Sequence, residues 1–325
     1  MSLRILILAL LTFGAGSFVW WVEYQTQREE QQHSAEQSLA KDIAAAAKDI
    51  QRIKIEDHSG VLFSAVKEND QWLSTHLDSI MTFPSDTAKL AQFASALTDV
   101  EVVESKTADA DNYYRLGVES VRSEDAQSVL VEIGGQREVF SLLVGHKAKG
   151  RRGSYVRQPE EETSMLVSER IPLPQTSGDW LSRDVMPFKE KMVAKIERES
   201  NNLPPLQFVP TENGEWSIPS IDENQLYHPS AVSEAVAGLM HFDFETVKPF
   251  LQHEWNEVTI AQQWVFTLHD ESKVWLYVSA PDPNGQSQLW IHTPDSPQWI
   301  SEWVFMLSEY QVQPFSVSLA NLLQS

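Results

Sequence analysis

A basic segment between two predicted strands is the strongest chemical feature of the sequence. This segment of eleven residues contains five cations, although the net charge of the chain is -21. Cations on a glycine-flanked loop can bind a phosphate, a carboxylate, an acidic protein surface or a lipid headgroup. The alternative is a solvated hairpin loop whose charges pair with the acidic turn at Glu160 to Glu162. The five cations of this segment are Lys147, Lys149, Arg151, Arg152 and Arg157.

The remaining polar residues form no recognisable catalytic or metal-binding motif. No two histidines have the His-x-x-x-His spacing that puts two metal ligands on one helix face. His241, Asp243 and Glu245 alternate with phenylalanines, as in any half-buried strand. The chain has no cysteine, no Gly-x-Ser-x-Gly elbow, no P-loop and no dinucleotide fingerprint. We therefore expect a protein that is not an enzyme, with no catalytic residues, no metal and no cofactor.

Tryptophan is unusually frequent, and seven of the eleven tryptophans lie from Trp216 onward. These rings could line a groove for a sugar or a peptide, or they could anchor a core. Trp275 and Trp290 occupy strand positions that correspond to Phe140 and Tyr155 earlier in the chain, which favours core anchors. The six tryptophans considered for a groove are Trp255, Trp264, Trp275, Trp290, Trp299 and Trp303.

The N-terminal residues predict a membrane anchor. Residues 5–22 contain no charged side chain, Arg4 precedes them, and about 18–20 apolar residues cross a bilayer as a helix. The positive flank predicts a cytoplasmic N-terminus and a body on the opposite side of the membrane. A cleaved signal peptide, with a site near Ala15 to Ser17, is the alternative. We assign residues 1–22 to the anchor and residues 23–49, which are rich in helix formers, to a helical stalk.

The rest of the chain reads as one pattern used twice. A polar turn, a tryptophan and a proline-led helix occur at Glu68–Trp72 and Pro84, and again at Glu212–Trp216 and Pro229. Later strand signals also correspond in order. The sequence thus predicts an α+β fold of two similar antiparallel sheet-plus-helix domains, residues 50–187 and 188–325. It also predicts that Pro84 begins a helix and that Trp180–Val185 forms a short one.

Several motifs in the first repeat resemble the domain of unknown function 4340 family. Each motif is weak alone, and their order carries the resemblance over most of Ile50 to Pro187. The resemblance implies a membrane-anchored bacterial protein with an extracytoplasmic body, in some members accompanying ABC-type export or gliding-motility components. It implies no catalytic residues. The motifs are Trp72 with Pro84-Ser-Asp, Tyr114-Arg-Leu-Gly117, the strand ending at Gly145, Gly153-Ser-Tyr-Val-Arg157 and Trp180-Leu-Ser-Arg183.

These observations predict a noncatalytic envelope protein that binds a membrane or envelope protein partner. The expected location is the bacterial inner membrane, crossed once, with the body in the periplasm. The family resemblance extends this to a subunit of a membrane transport or surface-assembly system. A periplasmic module that binds a small anionic ligand or a glycan is the alternative. The net charge of -21 repels nucleic-acid phosphates, so we expect no nucleic-acid partner.

Overall fold

The computed structural model describes residue 20 and residues 36–135, 139–150, 152–199, 205–219, 227–294 and 298–323. Apart from Trp20, the predicted anchor lies outside these ranges, as do residues 23–35 of the predicted stalk. Within these ranges, no helix is both long enough and apolar enough to span a bilayer.

Within the described residues, nine strands form the first sheet, and they pair in antiparallel fashion. Their order across the sheet is β4-β3-β2-β1-β6-β7-β8-β9-β5. Buried and exposed residues alternate along β1, where Ile53 and Ile55 face the core. The strands are β1 (Arg52–Asp57), β2 (Gly60–Glu68), β3 (Gln71–Ser74), β4 (Phe83–Pro84), β5 (Val102–Ser105), β6 (Val129–Gly134), β7 (Val139–Lys147), β8 (Ser154–Arg157) and β9 (Met165–Val167).

The described part of the chain also contains a second sheet of eight strands, in the order β12-β11-β10-β14-β15-β16-β17-β13. If β10 is equated with β1, each strand of the second sheet corresponds in order to a strand of the first. Within the described ranges, the two-residue β4 is the strand left without a counterpart. The α+β class predicted from the sequence is therefore confirmed. The strands are β10 (Val193–Glu199), β11 (Leu206–Pro210), β12 (Trp216–Ser217), β13 (Thr246–Pro249), β14 (Ile260–Leu268), β15 (Lys273–Ser279), β16 (Ser287–His292) and β17 (Trp303–Leu307).

The helices are amphipathic or short. Helices α2 and α4 bury one apolar stripe each. The buried residues are Leu90, Phe93 and Leu97 in α2, and Val232, Val236, Leu239 and Met240 in α4. The helices are α1 (36–47), α2 (Thr87–Thr98), α3 (Tyr113–Leu116), α4 (Pro229–Met240), α5 (Gln252–Trp255) and α6 (Leu319–Leu322).

The end of the predicted stalk packs on the body. Leu39, Ile43 and Ala47 of α1 are buried at helical spacing. The Glu36 carboxylate accepts hydrogen bonds from the backbone N–H and the hydroxyl of Ser105, each at 2.9 Å. The Glu36 contacts fix the beginning of α1 (36–47) to β5.

Two local predictions were wrong. Pro84 lies in β4 rather than at the start of a helix, because residues 83–84 pair with Ser74 and Leu73, and α2 begins only at Thr87. Residues 180–185 do not form a helix, since Leu181 pairs with Ser85 in an isolated β-bridge. In both places the tertiary pairing outweighs a local helix signal. Pro229, by contrast, stands at the first turn of α4.

The chain divides into two compact units, each made of two segments. Unit 1 comprises Met1–Ser64 and Ala88–Leu173, and unit 2 comprises Ala65–Thr87 and Pro174–Ser325. These boundaries do not coincide with the predicted domains 50–187 and 188–325, which were drawn from the repeat in the sequence and stay a prediction.

The Trp180–Arg183 motif explains why residues 65–87 belong to unit 2. The backbone N–H of Asp86 donates to the Trp180 carbonyl at 2.8 Å, and that of Ser182 donates to the Pro84 carbonyl at 2.9 Å. Phe83 is fully buried in the core of unit 2, where its ring contacts Trp303 edge-on with centroids 5.5 Å apart. The motif therefore holds β4 over the aromatic core by backbone pairing.

Candidate functional site

The described cations of the predicted basic segment have different surroundings. Lys147 and Lys149 are exposed, and Arg151 lies outside the described residues. Arg152 is exposed and forms an ion pair with Glu169 at 2.8 Å, so its partner is not the acidic turn at Glu160 to Glu162. A solvent-exposed pair of this kind contributes little to stability.

Arg157, the fifth predicted cation, is 7% exposed. Its Nε donates to the Val118 carbonyl at 3.0 Å, and its Nη1 donates to the Glu161 carbonyl at 2.9 Å. The guanidinium also lies 4.4 Å from the centre of the Tyr113 ring. Arg157 thus holds loops of unit 1 together, and its cation is occupied by protein carbonyls and an aromatic face.

Two glycines of the family motifs also have packing roles. Gly117 has φ of +66°, which ends α3 in a left-handed cap. A side chain at Gly145 on β7 would overlap the Leu116 carbonyl oxygen and lie 2.7 Å from that of Gly117. The turn after α3 therefore rests directly on the backbone of β7, which requires a residue without Cβ at position 145.

The His241–Glu245 segment alternates as predicted, with its three polar residues exposed and Phe242 and Phe244 buried. Asp243 pairs with Arg183, whose Nε lies 2.6 Å from a carboxylate oxygen. In the part of the chain that the structure describes, no group of three or more histidine, aspartate or glutamate residues is placed to hold a metal ion.

The six tryptophans considered for a groove differ in burial, and Trp299 among them is partly buried against the core of unit 2. Trp264 and Trp303 are fully buried, which confirms the core-anchor prediction for them. Trp275 and Trp290 are only half-buried, on the side of β15 and β16 opposite Leu276 and Ile291, so the core-anchor prediction was wrong for them. With their neighbours they form a surface that we call the aromatic face. It comprises Phe250, Trp255, Trp275, Tyr277, Trp290 and His292.

Trp290 lies at the centre of the aromatic face. Its ring stacks on Phe250 with centroids 4.3 Å apart and an interplanar angle of 12°, and on Tyr277 at 5.5 Å and 23°. Trp255 and His292 approach it at 5.6 and 5.0 Å. The indole N–H donates to the Ser301 carbonyl at 2.9 Å. Stacking and this hydrogen bond hold the ring in one orientation before anything binds.

An anionic residue lies at the end of the same cross-strand row. Register pairs join Glu199 to Gln263, Gln263 to Tyr277, and Tyr277 to Trp290. The Gln263 amide donates to a Glu199 carboxylate oxygen at 2.7 Å. Burial, and then the Glu199 charge, raise the pKa of Tyr277 above its ordinary value of 10.0.

The shorter connection in unit 2 explains why this face is open. In unit 1, residues 106–128 join β5 to β6 and include the buried residues Val118 and Val121, and β7 has consecutive buried residues from Leu142 to Val144. In unit 2, only residues 250–259 join β13 to β14, and β15 alternates between buried and half-buried residues. The first sheet thus has cover on both faces of β7, whereas the second sheet exposes one face of β15.

The position of Glu199 predicts a change in tyrosine titration. Because Tyr277 has a raised pKa, its neutral form contributes stability below pH 10.0 that is lost as the pH rises through the folded-state pKa. Glu199→Gln should lower the pKa of Tyr277 towards its ordinary value, although burial will keep part of the shift. Tyrosinate absorbance, with Tyr277→Phe to identify the relevant step, measures this. An unchanged Tyr277 titration in Glu199→Gln would contradict the assigned proximity.

The aromatic face had a signal in the sequence, namely rings at alternate positions of β15 and β16. This alternation shows that the rings share one face of each strand. It does not show whether another part of the chain covers that face. A sharper clue was the shortness of the connection before β14 relative to the one before β6.

A family model described as Domain of unknown function (DUF4340) matches residues 72–254 of the chain. The match starts after the Ile50 expected from the resemblance and continues past Pro187 as far as α5 of unit 2. The strands β14 to β17 follow it. Neither a curated protein nor a solved structure matches the chain. Because the match covers more than half of the sequence, the chain belongs to the domain of unknown function DUF4340 family.

Proposed function

We propose that this chain is a noncatalytic binding protein whose aromatic face docks a partner protein. The observation that carries the proposal is the half-buried stack of Phe250, Trp290 and Tyr277 on the side of the second sheet opposite its core. Contiguous exposed apolar surface marks interaction sites, and tryptophan and tyrosine dominate the binding energy of protein interfaces.

The rigidity of the face supports the same proposal. Trp290 contacts four other rings and is hydrogen-bonded to Ser301, so little side-chain freedom is lost when a partner covers it. Trp255 on α5 lies at its margin and is half-buried. A partner would therefore meet a preformed central anchor with a more adaptable edge.

The proposed setting is a bacterial inner membrane. Residues 1–22 would form the anchor, crossing once with the N-terminus in the cytoplasm, and the body would lie in the periplasm on the stalk that ends in α1. These elements rest on the charge and hydropathy of the sequence. The further proposal, a partner within a membrane transport or surface-assembly system, rests on the family resemblance and is an argument by analogy.

Co-purification of the full-length chain from detergent-solubilised membranes tests this function. We expect a stoichiometric membrane or envelope protein to be retained by the parent chain and by Trp290→Phe, and to be lost by about tenfold or more with Trp290→Ala. Tyr310→Ala is the matched control, because Tyr310 is an aromatic residue of unit 2 that is 78% exposed and lies outside the aromatic face. Melting curves of all variants identify any loss that is due to unfolding.

A partner retained equally by Trp290→Ala and the parent chain would contradict the proposal. The second candidate function is binding of a small anionic ligand or a glycan. The same stacked rings favour a glycan, and they give no support to an anionic ligand. This second function predicts a ligand-dependent rise in melting temperature with no co-purifying protein.

A further inference from the structure

We infer that the partner segment that docks on the aromatic face is basic, with arginine or lysine side chains among apolar ones. The inference rests on the proposed function and deepens it by assigning the chemistry of the partner. It proposes that a cation of the partner binds Glu199, while apolar side chains of the same segment cover Trp290 and its neighbours.

The charge of the chain around this face supports a basic partner. From Pro174 to the end, the sequence has seven lysine and arginine residues against twenty aspartate and glutamate residues. A field of this sign accelerates encounter with a cationic surface and disfavours an acidic one. This long-range attraction is screened by salt. It favours basic partners in general and does not determine where on unit 2 a partner cation binds.

Glu199 supplies the position. The charges of its neighbours on the same face of β10 are already neutralised, since Lys195 forms an ion pair with Glu197 at 2.8 Å. At the other end of the row, Lys248 pairs with Glu254 at 3.1 Å. The partner of Glu199 among the described residues is the neutral amide of Gln263. This amide donates to the carboxylate as an incoming cation would, so Glu199 is a carboxylate beside the aromatic face that a partner can neutralise.

The molecule already uses the contact that we infer. Arg157 lies 4.4 Å from the Tyr113 ring centre while donating to carbonyls, and Arg183 lies 4.0 Å from that of Phe244 while pairing with Asp243. Each combines an aromatic face with an oxygen acceptor around one guanidinium. Tyr277 and Glu199 offer the same two components within one cross-strand row, with the cation still to be supplied.

Selection from a library of random twelve-residue peptides tests the inference without knowledge of the natural partner. The full-length chain in detergent is the target, and Trp290→Ala is used for counter-selection. We expect the enriched peptides to combine arginine or lysine with apolar residues. Enrichment of neutral or acidic peptides, or the absence of any peptide that distinguishes the two proteins, would overturn the inference.

The best enriched peptide then gives a quantitative comparison. Replacement of its arginines by citrulline, or of its lysines by acetyl-lysine, removes the charge, and we expect binding about tenfold weaker, which corresponds to about 1.4 kcal/mol. Glu199→Gln should weaken binding to a similar extent. Glu212→Gln removes one exposed charge elsewhere in unit 2 and should change the affinity by less than about threefold. Equal effects of the two substitutions would overturn the role of Glu199.

This inference and the proposed function can fail separately. If the co-purifying partner depends on Trp290 but the selected peptides lack cations, the aromatic face docks a partner of different chemistry, and only the inference falls. If no partner depends on Trp290, the proposed function itself falls.

Discussion

Gly178→Ala should destabilise unit 2 by more than about 3 kcal/mol. A Cβ at position 178 would overlap the Glu245 carbonyl oxygen and lie 2.6 Å from the carbonyl carbon. Both obstacles are backbone atoms, so no side-chain rotation relieves them. The segment cannot simply move away, because Arg183 donates from its Nη1 to the Gly178 carbonyl and from its Nη2 to the Phe244 carbonyl, both at 3.0 Å.

Tryptophan fluorescence during chemical denaturation measures this effect in unit 2 alone. All tryptophans except Trp20 and Trp21 belong to unit 2, so the emission follows the unfolding of that unit. Ser177→Ala is the matched control, since it loses only a long 3.4 Å contact with the Thr246 hydroxyl and should cost less than about 1 kcal/mol. A midpoint for Gly178→Ala equal to that of the control would contradict the close approach.

Arg157→Ala should destabilise unit 1 by about 3 kcal/mol, because hydrogen bonds to a charged group are worth more than neutral ones and the carbonyls left behind are largely shielded from water. The lost contacts include the Val118 and Glu161 carbonyls and the face of Tyr113. Arg157→Lys should recover part of the stability, since an ammonium keeps the charge but lacks the planar fork.

Amide hydrogen exchange locates this loss. Protection should fall in β6, β7 and β8 of unit 1, while the tryptophan transition of unit 2 stays in place. Lys149→Ala removes an exposed cation of the same basic segment and should leave exchange unchanged within about 0.5 kcal/mol. Equal effects of Arg157→Ala and Lys149→Ala would return Arg157 to the exposed surface that the sequence predicted for it.

The strand pattern of this chain could be predicted from the sequence because alternation is a local property. Ile53 and Ile55 are separated by Lys54 in β1, and the matching run in β10 allowed the second sheet to be found. Pro84 was different. Its local signal favours a helix start, but Pro84 pairs with Leu73 of β3, and its carbonyl accepts a hydrogen bond from Ser182, which lies far along the chain.

The candidate site could be predicted only in part, for a similar reason. Rings on alternate residues of β15 place Trp275 and Tyr277 on one face. Whether that face is core or surface depends on the length of residues 250–259, which lie elsewhere in the sequence. Likewise, the charge of Arg157 is visible in the sequence, whereas the carbonyls that surround it come from loops whose folding no local pattern specifies.

The two-segment composition of unit 2 has a consequence for the order of events during synthesis. Phe83 emerges from the ribosome early, yet the rings that bury it, Phe244, Trp303 and Phe305, are among the last to be made. The segment from Ala65 to Thr87 therefore cannot pack into the core of unit 2 until the second segment of unit 1, Ala88–Leu173, and much of the second segment of unit 2 have been synthesised. Contacts so distant along the chain slow folding. The completion of unit 2 is accordingly a post-translational step, and a chain truncated before Trp303 leaves Phe83 without the rings of Trp303 and Phe305.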